Sequence, residues 1–178
     1  MKFVHTMALA TMMVLAVTSG AVAQSTQPAA NTPKPEKYKD WDLFCPKPVA
    51  ANAPQVCQIR TVILSSEKKP LGVLLVAAEV GVGTKEMIAS VLLPLGTDPT
   101  QQPSLTAGSS KIDLQYVRCQ QRGCEAMGNL SADQQAALRA GSSAKVTVGV
   151  GSGKSATFDF SLTGFSAAHD ALKKKTGA

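Results

Sequence analysis

The chain has 178 residues, a formal net charge of +6 and a charged fraction of 17%. Its one Trp, two Tyr and five Phe do not alternate with the basic residues, which argues against a nucleic-acid-binding surface. Six lysines form two terminal groups, at 34, 37 and 39 and at 173–175. Such groups could contact anionic lipid or polysaccharide, although solvated charge is the simpler interpretation.

The first 23 residues have the layout of a secretory signal peptide. Lys2 precedes the apolar run Met7–Val17, and small residues stand at 21 and 23, just before Gln24. The apolar run is shorter than the roughly 20 residues that a membrane helix needs, and later apolar runs are interrupted by glycine and charge. We therefore expect a signal peptide over residues 1–23, cleaved after Ala23, and an exported chain without a transmembrane segment.

The next stretch reads as a disordered leader over residues 24–38. Residues 24–37 contain three prolines and no large apolar side chain. Such a segment cannot bury enough apolar surface to offset the entropy that it would lose on folding. The folded domain is therefore expected over residues 39–175, a usual size for a single domain.

The domain is rich in short stretches in which apolar and polar residues alternate, the pattern of half-buried strands. A Pro-, Thr- and Gly-rich loop is expected over 96–110. The fold class is mainly β: an antiparallel β-sandwich or barrel-like domain of about eight strands with two short helices. Strands are predicted at 41–45, 55–64, 71–80, 86–93, 111–119, from 124 onward, at 145–150 and at 155–162.

Helices are predicted at Ser131–Arg139 and Ser166–Lys175. Ser131 is expected to cap the first helix in a capping box with Gln134, and Gly141 is expected to end it. Ser166 is expected to cap the second helix. Three lysines stand at its C-terminal end, where the helix dipole favours positive charge.

The four cysteines are Cys45, Cys57, Cys119 and Cys124. An even number of cysteines in an exported chain indicates two disulfides. Three pairings are possible. We favour the sequence-local one, Cys45 with Cys57 and Cys119 with Cys124, because a short turn containing Gly123 separates the second pair.

Metal and redox chemistry are less consistent with the cysteine spacing. C-x₄-C lies at the edge of the range for structural zinc, and His169 is the one histidine after the signal peptide. Neither pair forms the C-x-x-C of redox enzymes. We expect no metal and no cofactor.

Three motifs suggest an activity, and each has a simpler interpretation. GVGSGKS, at 149–155, resembles a phosphate loop, but Val148 occupies the position of the required first glycine and a strand follows, so a hairpin turn is expected. His169 beside Asp170 suggests a hydrolase triad, but His169 is expected at the surface or partly packed. Asp40 and Asp42 are expected on a solvated strand edge. No catalytic residue is assigned.

Four elements in order resemble the invasion-associated locus B family of alphaproteobacterial exported proteins. They are WDLFC at 41–45 followed by Cys57, LLPLG at 92–96, the C-x₃-G-C turn that ends at Cys124, and SLTGFSAA at 161–168. Together they cover roughly residues 38–174. Thr163 replaces the family's usual basic residue in the last element.

The resemblance implies a compact, mainly β domain of the periplasm or cell surface, which in some pathogens is linked to entry into host cells. It brings no catalytic residues. The matching residues read as scaffold: Trp41 packs the first strand on the core, Phe165 anchors the closing helix, and Gly164 permits the turn before it.

Two functions follow from the sequence. The favoured one is an exported, non-enzymatic envelope protein that acts as a binding or accessory module for an unknown envelope protein, lipid or glycan. It would be located in the periplasm, at the outer membrane or outside the cell. The alternative is an envelope-polymer hydrolase of unrecognised type, built on Asp40, Asp42 and His169.

Overall fold

The computed structural model describes residues 33–48, 50–79 and 87–178. The expected signal peptide, its cleavage site and most of the leader lie outside these residues. Within them the chain forms eleven strands and two helices. These are β1 Glu36–Tyr38, β2 Trp41–Phe44, β3 Val56–Leu64, β4 Pro70–Glu79, β5 Met87–Leu93, β6 Ser104–Ala107, β7 Ser110–Asp113, β8 Gln115–Gln120, β9 Gly123–Leu130, α1 Ala132–Ala140, β10 Ser143–Gly149, β11 Ser155–Ser161 and α2 Phe165–Thr176.

The strands form two antiparallel sheets, which confirms the predicted fold class. A seven-stranded sheet has the order β1-β2-β3-β4-β5-β9-β8, and a four-stranded sheet has the order β11-β10-β6-β7. The sheets do not close into a barrel: no ladder joins β11 to the seven-stranded sheet. The sandwich is therefore the correct alternative of the two predicted.

The three strands beyond the predicted eight come from segments with weak or misleading patterns. β1 lies at the end of the stretch assigned to the leader, so the folded domain begins before residue 39. β6 lies in the expected loop over 96–110. The strand predicted at 111–119 is two strands, β7 and β8, in different sheets. The chain changes sheets at Leu114, whose N–H donates to the carbonyl of Pro103 at 2.9 Å.

The inner faces of both sheets and the apolar faces of the helices share one core. Alternate residues of β3 and β5 point inward, as the period of two requires. Trp41 and Phe165 are fully buried and meet edge to face, with ring centroids 4.9 Å apart. Helix α2 packs on the first four strands of the larger sheet, whereas α1 packs on β6, β7 and α2. In the described part of the chain, no helix is long and apolar enough to cross a membrane.

The two helices begin differently. The capping box of α1 forms as predicted: Gln134 N–H donates to Ser131 Oγ at 3.2 Å, and Ser131 N–H donates to Gln134 Oε1 at 2.9 Å. The cap predicted for α2 is wrong. Gly164 occupies the N-cap position without a side-chain cap, and Ser166 lies inside the helix, where its hydroxyl donates to the Arg139 carbonyl at 3.0 Å.

Gly164 joins the last strand to α2 in a place that excludes any side chain. Its φ of 93° lies in the left-handed region. A Cβ atom built on it would lie 2.0 Å from the carbonyl oxygen of Tyr38. The turn between β11 and α2 is thus packed against the backbone of β1, and glycine is required there by both conformation and space.

Gly164→Ala is expected to lower the free energy of unfolding by about 3 kcal/mol or more, because the methyl group adds a backbone clash to the left-handed strain. Gly151→Ala is the matched control, since Gly151 has a similar φ of 88° but no atom within 4 Å of the built Cβ. The control should lose only about 1 kcal/mol. Urea unfolding checks both, and equal losses would contradict the close approach.

The disulfides join Cys45 to Cys57 and Cys119 to Cys124. The first ties β2 to the start of β3, and the second ties β8 to β9 across their turn. Both pairs therefore hold neighbouring strands of the same sheet. Among the described cysteines none is free.

Replacing both cysteines of a pair with alanine should destabilise the domain more for the longer loop, because the loss grows with the logarithm of loop length. The Cys45–Cys57 loop is the longer, with a sequence separation of 12 against 5. Loop-closure entropy gives a loss of about 3 kcal/mol for the longer loop and about 2 kcal/mol for the shorter one. Urea unfolding of the two double variants tests this order, and peptide mapping without reductant tests the pairing.

Candidate functional site

A cleft lies at the open seam between the two sheets. It has a volume of about 480 Å³ and is bounded by β11 on one side and by β1, β2, β3 and β4 on the other. A neighbouring cavity of about 320 Å³ shares Leu64 and Asp159 with it and extends past Ser65 and Ser66 to Thr157. Together the two cavities form a groove along β11, which we call the seam groove.

The floor of the seam groove is apolar. Val62, Leu64 and Val73 line it, and they lie on the face of β3 and β4 that points away from the core. Val62 and Leu64 are 47% and 41% exposed, which is unusual for large aliphatic side chains at the centre of a sheet. Val62 and Val73 are cross-strand partners, so the floor is continuous across the two strands.

Charged side chains form the rim of the seam groove. Lys37 Nζ lies 2.6 Å from Asp42 Oδ1, and Arg60 Nε lies 3.9 Å from Asp42 Oδ2. Asp40 and Asp159 make no ion pair with any described residue. The rim therefore combines one ion-pair cluster around Asp42 with two carboxylates that are open to solvent.

The third wall of the seam groove is the free backbone edge of β11. At one end of the strand Leu162 N–H donates to Ser142 O, and at the other end Val150 N–H donates to Lys154 O, both at 3.0 Å. Because antiparallel residues alternate between the two sides of a strand, the even-numbered residues of β11 bond to β10. The backbone groups of Thr157 and Asp159 therefore face the seam groove.

Trp41 fixes the end of this edge. Its indole Nε1–H donates to the carbonyl of Ser161 at 3.1 Å. Asp40 N–H also donates to the carbonyl of Thr163 at 3.3 Å. The N-terminal part of the domain thus holds β11 beside β3 with individual hydrogen bonds, without a ladder.

A second polar cluster, which we call the helix cluster, connects α1 and α2 around a buried histidine. His169 is 3% exposed, so the prediction of a surface or partly packed residue is wrong. Its Nε2 lies 3.0 Å from Gln135 Oε1, and its Nδ1 lies 3.0 Å from Arg139 Nη1. Gln135 Nε2 donates to the Leu130 carbonyl, which sets the orientation of its amide. Nε2 of His169 therefore carries the proton, and Nδ1 accepts from Arg139.

The surroundings keep this histidine neutral. Burial, and next the positive charge of Arg139, lower the pKa of His169 from 6.5 to about 4. Asp170 points outward, and Arg139 Nη2 donates to its Oδ2 at 3.3 Å. The hydrogen bond from Arg139 lowers the pKa of Asp170. The imidazole nitrogens are both occupied and shielded from solvent, so His169 is placed to join the helices and not to act as a general base.

A smaller apolar cavity of about 200 Å³ lies between the start of β4, the turn after β5 and the hairpin of β10 and β11. Leu93, Pro94 and Leu95 line it together with Val150 and Phe158. The LLPLG element thus borders a notch between the sheets. Within the described ranges, no three His, Cys, Asp or Glu side chains cluster as a metal site.

The residues singled out from the sequence have different places. Asp40 and Asp42 line the seam groove, whereas His169 lies in the helix cluster, so the structure does not bring the three proposed hydrolase residues into one site. The cysteines, Trp41, Gly164 and Phe165 lie outside the groove lining. The GVGSGKS segment forms a hairpin turn, in which Lys154 N–H donates to Gly151 O at 3.0 Å.

Sequence reasoning missed Arg60, Val62 and Asp159 as groove residues. A partial signal was present, because Val62 and Leu64 share a strand face with Gln58 and Arg60, a face that should be polar if it were simply solvated. Asp159 carried no such signal, because its place beside β3 depends on the packing of two sheets.

These features define a small two-sheet β domain with two disulfides, a C-terminal helix docked on its first strands, and an open seam. The chain matches the family described as "Invasion associated locus B (IalB) protein" over residues 41–173, and it belongs to that family. The resemblance seen in the ordered sequence elements is confirmed.

A solved relative has the same fold. The crystal structure of invasion associated protein b from Bartonella henselae matches with a TM-score of 0.65 and 19% sequence identity. The match covers 80% of this chain and 96% of the other. At this identity the likeness concerns the fold alone. No curated protein matches the chain.

Because of the buried His169, we expect the free energy of unfolding to depend on pH. The pKa of His169 is lower in the folded state, so the unfolded chain binds more protons as the pH falls below 6.5, and stability is lost from there down to about 4. The loss between about pH 7.5 and about pH 5 should be about 2 kcal/mol.

Urea unfolding at the two pH values measures this loss, and His169→Gln is the variant that should flatten it. Asp170 and the glutamate at position 36 have lowered pKa values, so their contributions are lost at more acidic pH. An unchanged difference in His169→Gln would show that another group carries the pH dependence.

Proposed function

We propose that this chain is an exported, non-enzymatic binding or accessory module of the cell envelope, associated in pathogens with host-cell invasion. Its partner would be an envelope protein, lipid or glycan that it holds at the seam groove. The observation that carries this proposal is the groove itself: an apolar floor, a charged rim and a free strand edge meet in one open cleft.

Family membership and chemistry support the proposal. The family description and the Bartonella henselae relative both carry the words "invasion associated". Two disulfides suit an oxidising compartment such as the periplasm or the cell exterior. The groove also has the usual features of a recognition site, since exposed aliphatic side chains are bordered by polar groups.

Photo-crosslinking in the source cells tests the proposal. A benzophenone amino acid placed at Val62, on the groove floor, should yield a reproducible crosslinked partner that mass spectrometry identifies. The same group at Ala136, an exposed position on α1, is the matched control and should yield little. Equal capture from both positions, or no capture from Val62, would contradict a binding role for the groove.

A further inference from the structure

The two sheets have four edges in the described chain, and three of them are protected against pairing with another chain. β1 has only three residues. β7 has four residues and is packed by α1. β8 has an irregular register between Tyr116 and Arg118. Short strands, covering helices and bulges are the usual protections against pairing with another chain.

The fourth edge, β11, has none of these protections. It has seven residues in unbroken register with β10, from Ser161 opposite Ser143 to Ser155 opposite Gly149. The Ser161 carbonyl is taken by Trp41. The N–H and C=O groups of Thr157 and Asp159 point to the same side and have no partner among the described residues. Inside the seam groove, β11 thus leaves the backbone N–H and C=O groups of two residues available for pairing with another strand.

We propose that the seam groove holds an extended polypeptide segment of a partner protein, which adds to the free edge of β11 as a further strand. This inference rests on the proposed function and names the partner class for the same site. An added strand would bond to the backbone of Thr157 and Asp159 and place alternate side chains next to Val62 and Leu64. Strand addition to an open edge is a general mode of peptide recognition.

The charges of the groove specify the segment further. The rim has three carboxylates, Asp40, Asp42 and Asp159, against two cations, Lys37 and Arg60. The groove is therefore locally acidic in a chain whose formal net charge is +6. Lys145 is the cross-strand neighbour of Asp159 but forms no ion pair with it. A segment with aliphatic residues and a Lys or Arg opposite Asp159 fits this rim.

The dimensions are also those of a short strand. Seven residues of β11 span about 23 Å at roughly 3.3 Å per residue. The segment should therefore be about five to seven residues long. Specificity would come from the aliphatic side chains next to the floor, whereas the backbone bonds would contribute affinity without regard to sequence.

Two labelled peptides serve as probes: a nine-residue peptide that alternates Val with Lys and Thr, and the same peptide with Glu in place of Lys. Fluorescence anisotropy should show binding of the first peptide to the disulfide-intact domain. The affinity for the Glu peptide should be lower by a factor of about five or more, because its carboxylates are repelled by those of the rim. Equal binding would overturn the charge argument.

A backbone substitution separates strand addition from side-chain contact. Thr157→Pro removes an N–H that faces the groove and leaves the ladder to β10 intact, so it should weaken binding of the Lys peptide about ten-fold. Thr157→Val is the matched control, since it keeps the N–H and loses only the hydroxyl; it should bind within about two-fold. Equal affinity of the two variants would overturn strand addition.

Hydrogen exchange of the backbone amides is a second measurement, and it does not require a variant to fold. Binding of the Lys peptide should slow hydrogen exchange at the amides of Thr157 and Asp159 and leave that of Phe158 unchanged, because Phe158 already bonds to β10. Protection of neither amide would overturn the proposal.

The outcomes separate this inference from the proposed function. If crosslinking at Val62 captures a lipid or glycan, the groove is a binding site and strand addition is wrong. If it captures a protein but the amides of Thr157 and Asp159 stay unprotected, the partner class holds and the binding mode is wrong. If it captures nothing, both proposals fail.

Discussion

The edge-to-face contact between Trp41 and Phe165 organises the domain. Trp41 begins β2 and Phe165 begins α2, and the contact closes because Gly164 lets the backbone approach Tyr38. An aromatic pair of this kind adds about 0.5–1.5 kcal/mol beyond the area that it buries. Its larger effect is positional, since the ring of Phe165 also lies 5.5 Å from that of His169 and so connects the core to the cluster between the helices.

Trp41 also takes part in the open seam. Trp41 uses its indole N–H to hold the end of β11, and the strand is thereby placed beside β3 without forming a ladder. A closed barrel would satisfy the backbone groups of Thr157 and Asp159 internally and would leave no groove. The open edge carries the exposed residues Thr157 and Asp159, and the fully buried Trp41 holds the end of its strand in place.

Local patterns carried most of the fold prediction. Apolar patterns, alternating or continuous, located seven of the strands within a few residues, and the Ser131–Gln134 pair located the start of α1, because both depend on neighbours in sequence. The division at Leu114 was invisible, since apolar residues alternate without interruption while the chain changes sheets. Gly164 in place of Ser166 at the start of α2, and the burial of His169, depend on contacts with Tyr38 and Arg139 that lie far away in sequence. The seam groove was unpredictable for the same reason, because its walls come from distant strands.

The distance in sequence between the partners of the Trp41 hydrogen bond has a consequence for the order of folding. Trp41 and Ser161 are separated by 120 residues, so the first strands cannot complete their packing until the region around Gly164 has been synthesised. Long-range closure of this kind makes folding slow. Because a chain is made from its N-terminus, the contacts that lock the first strands depend on a segment that is synthesised late.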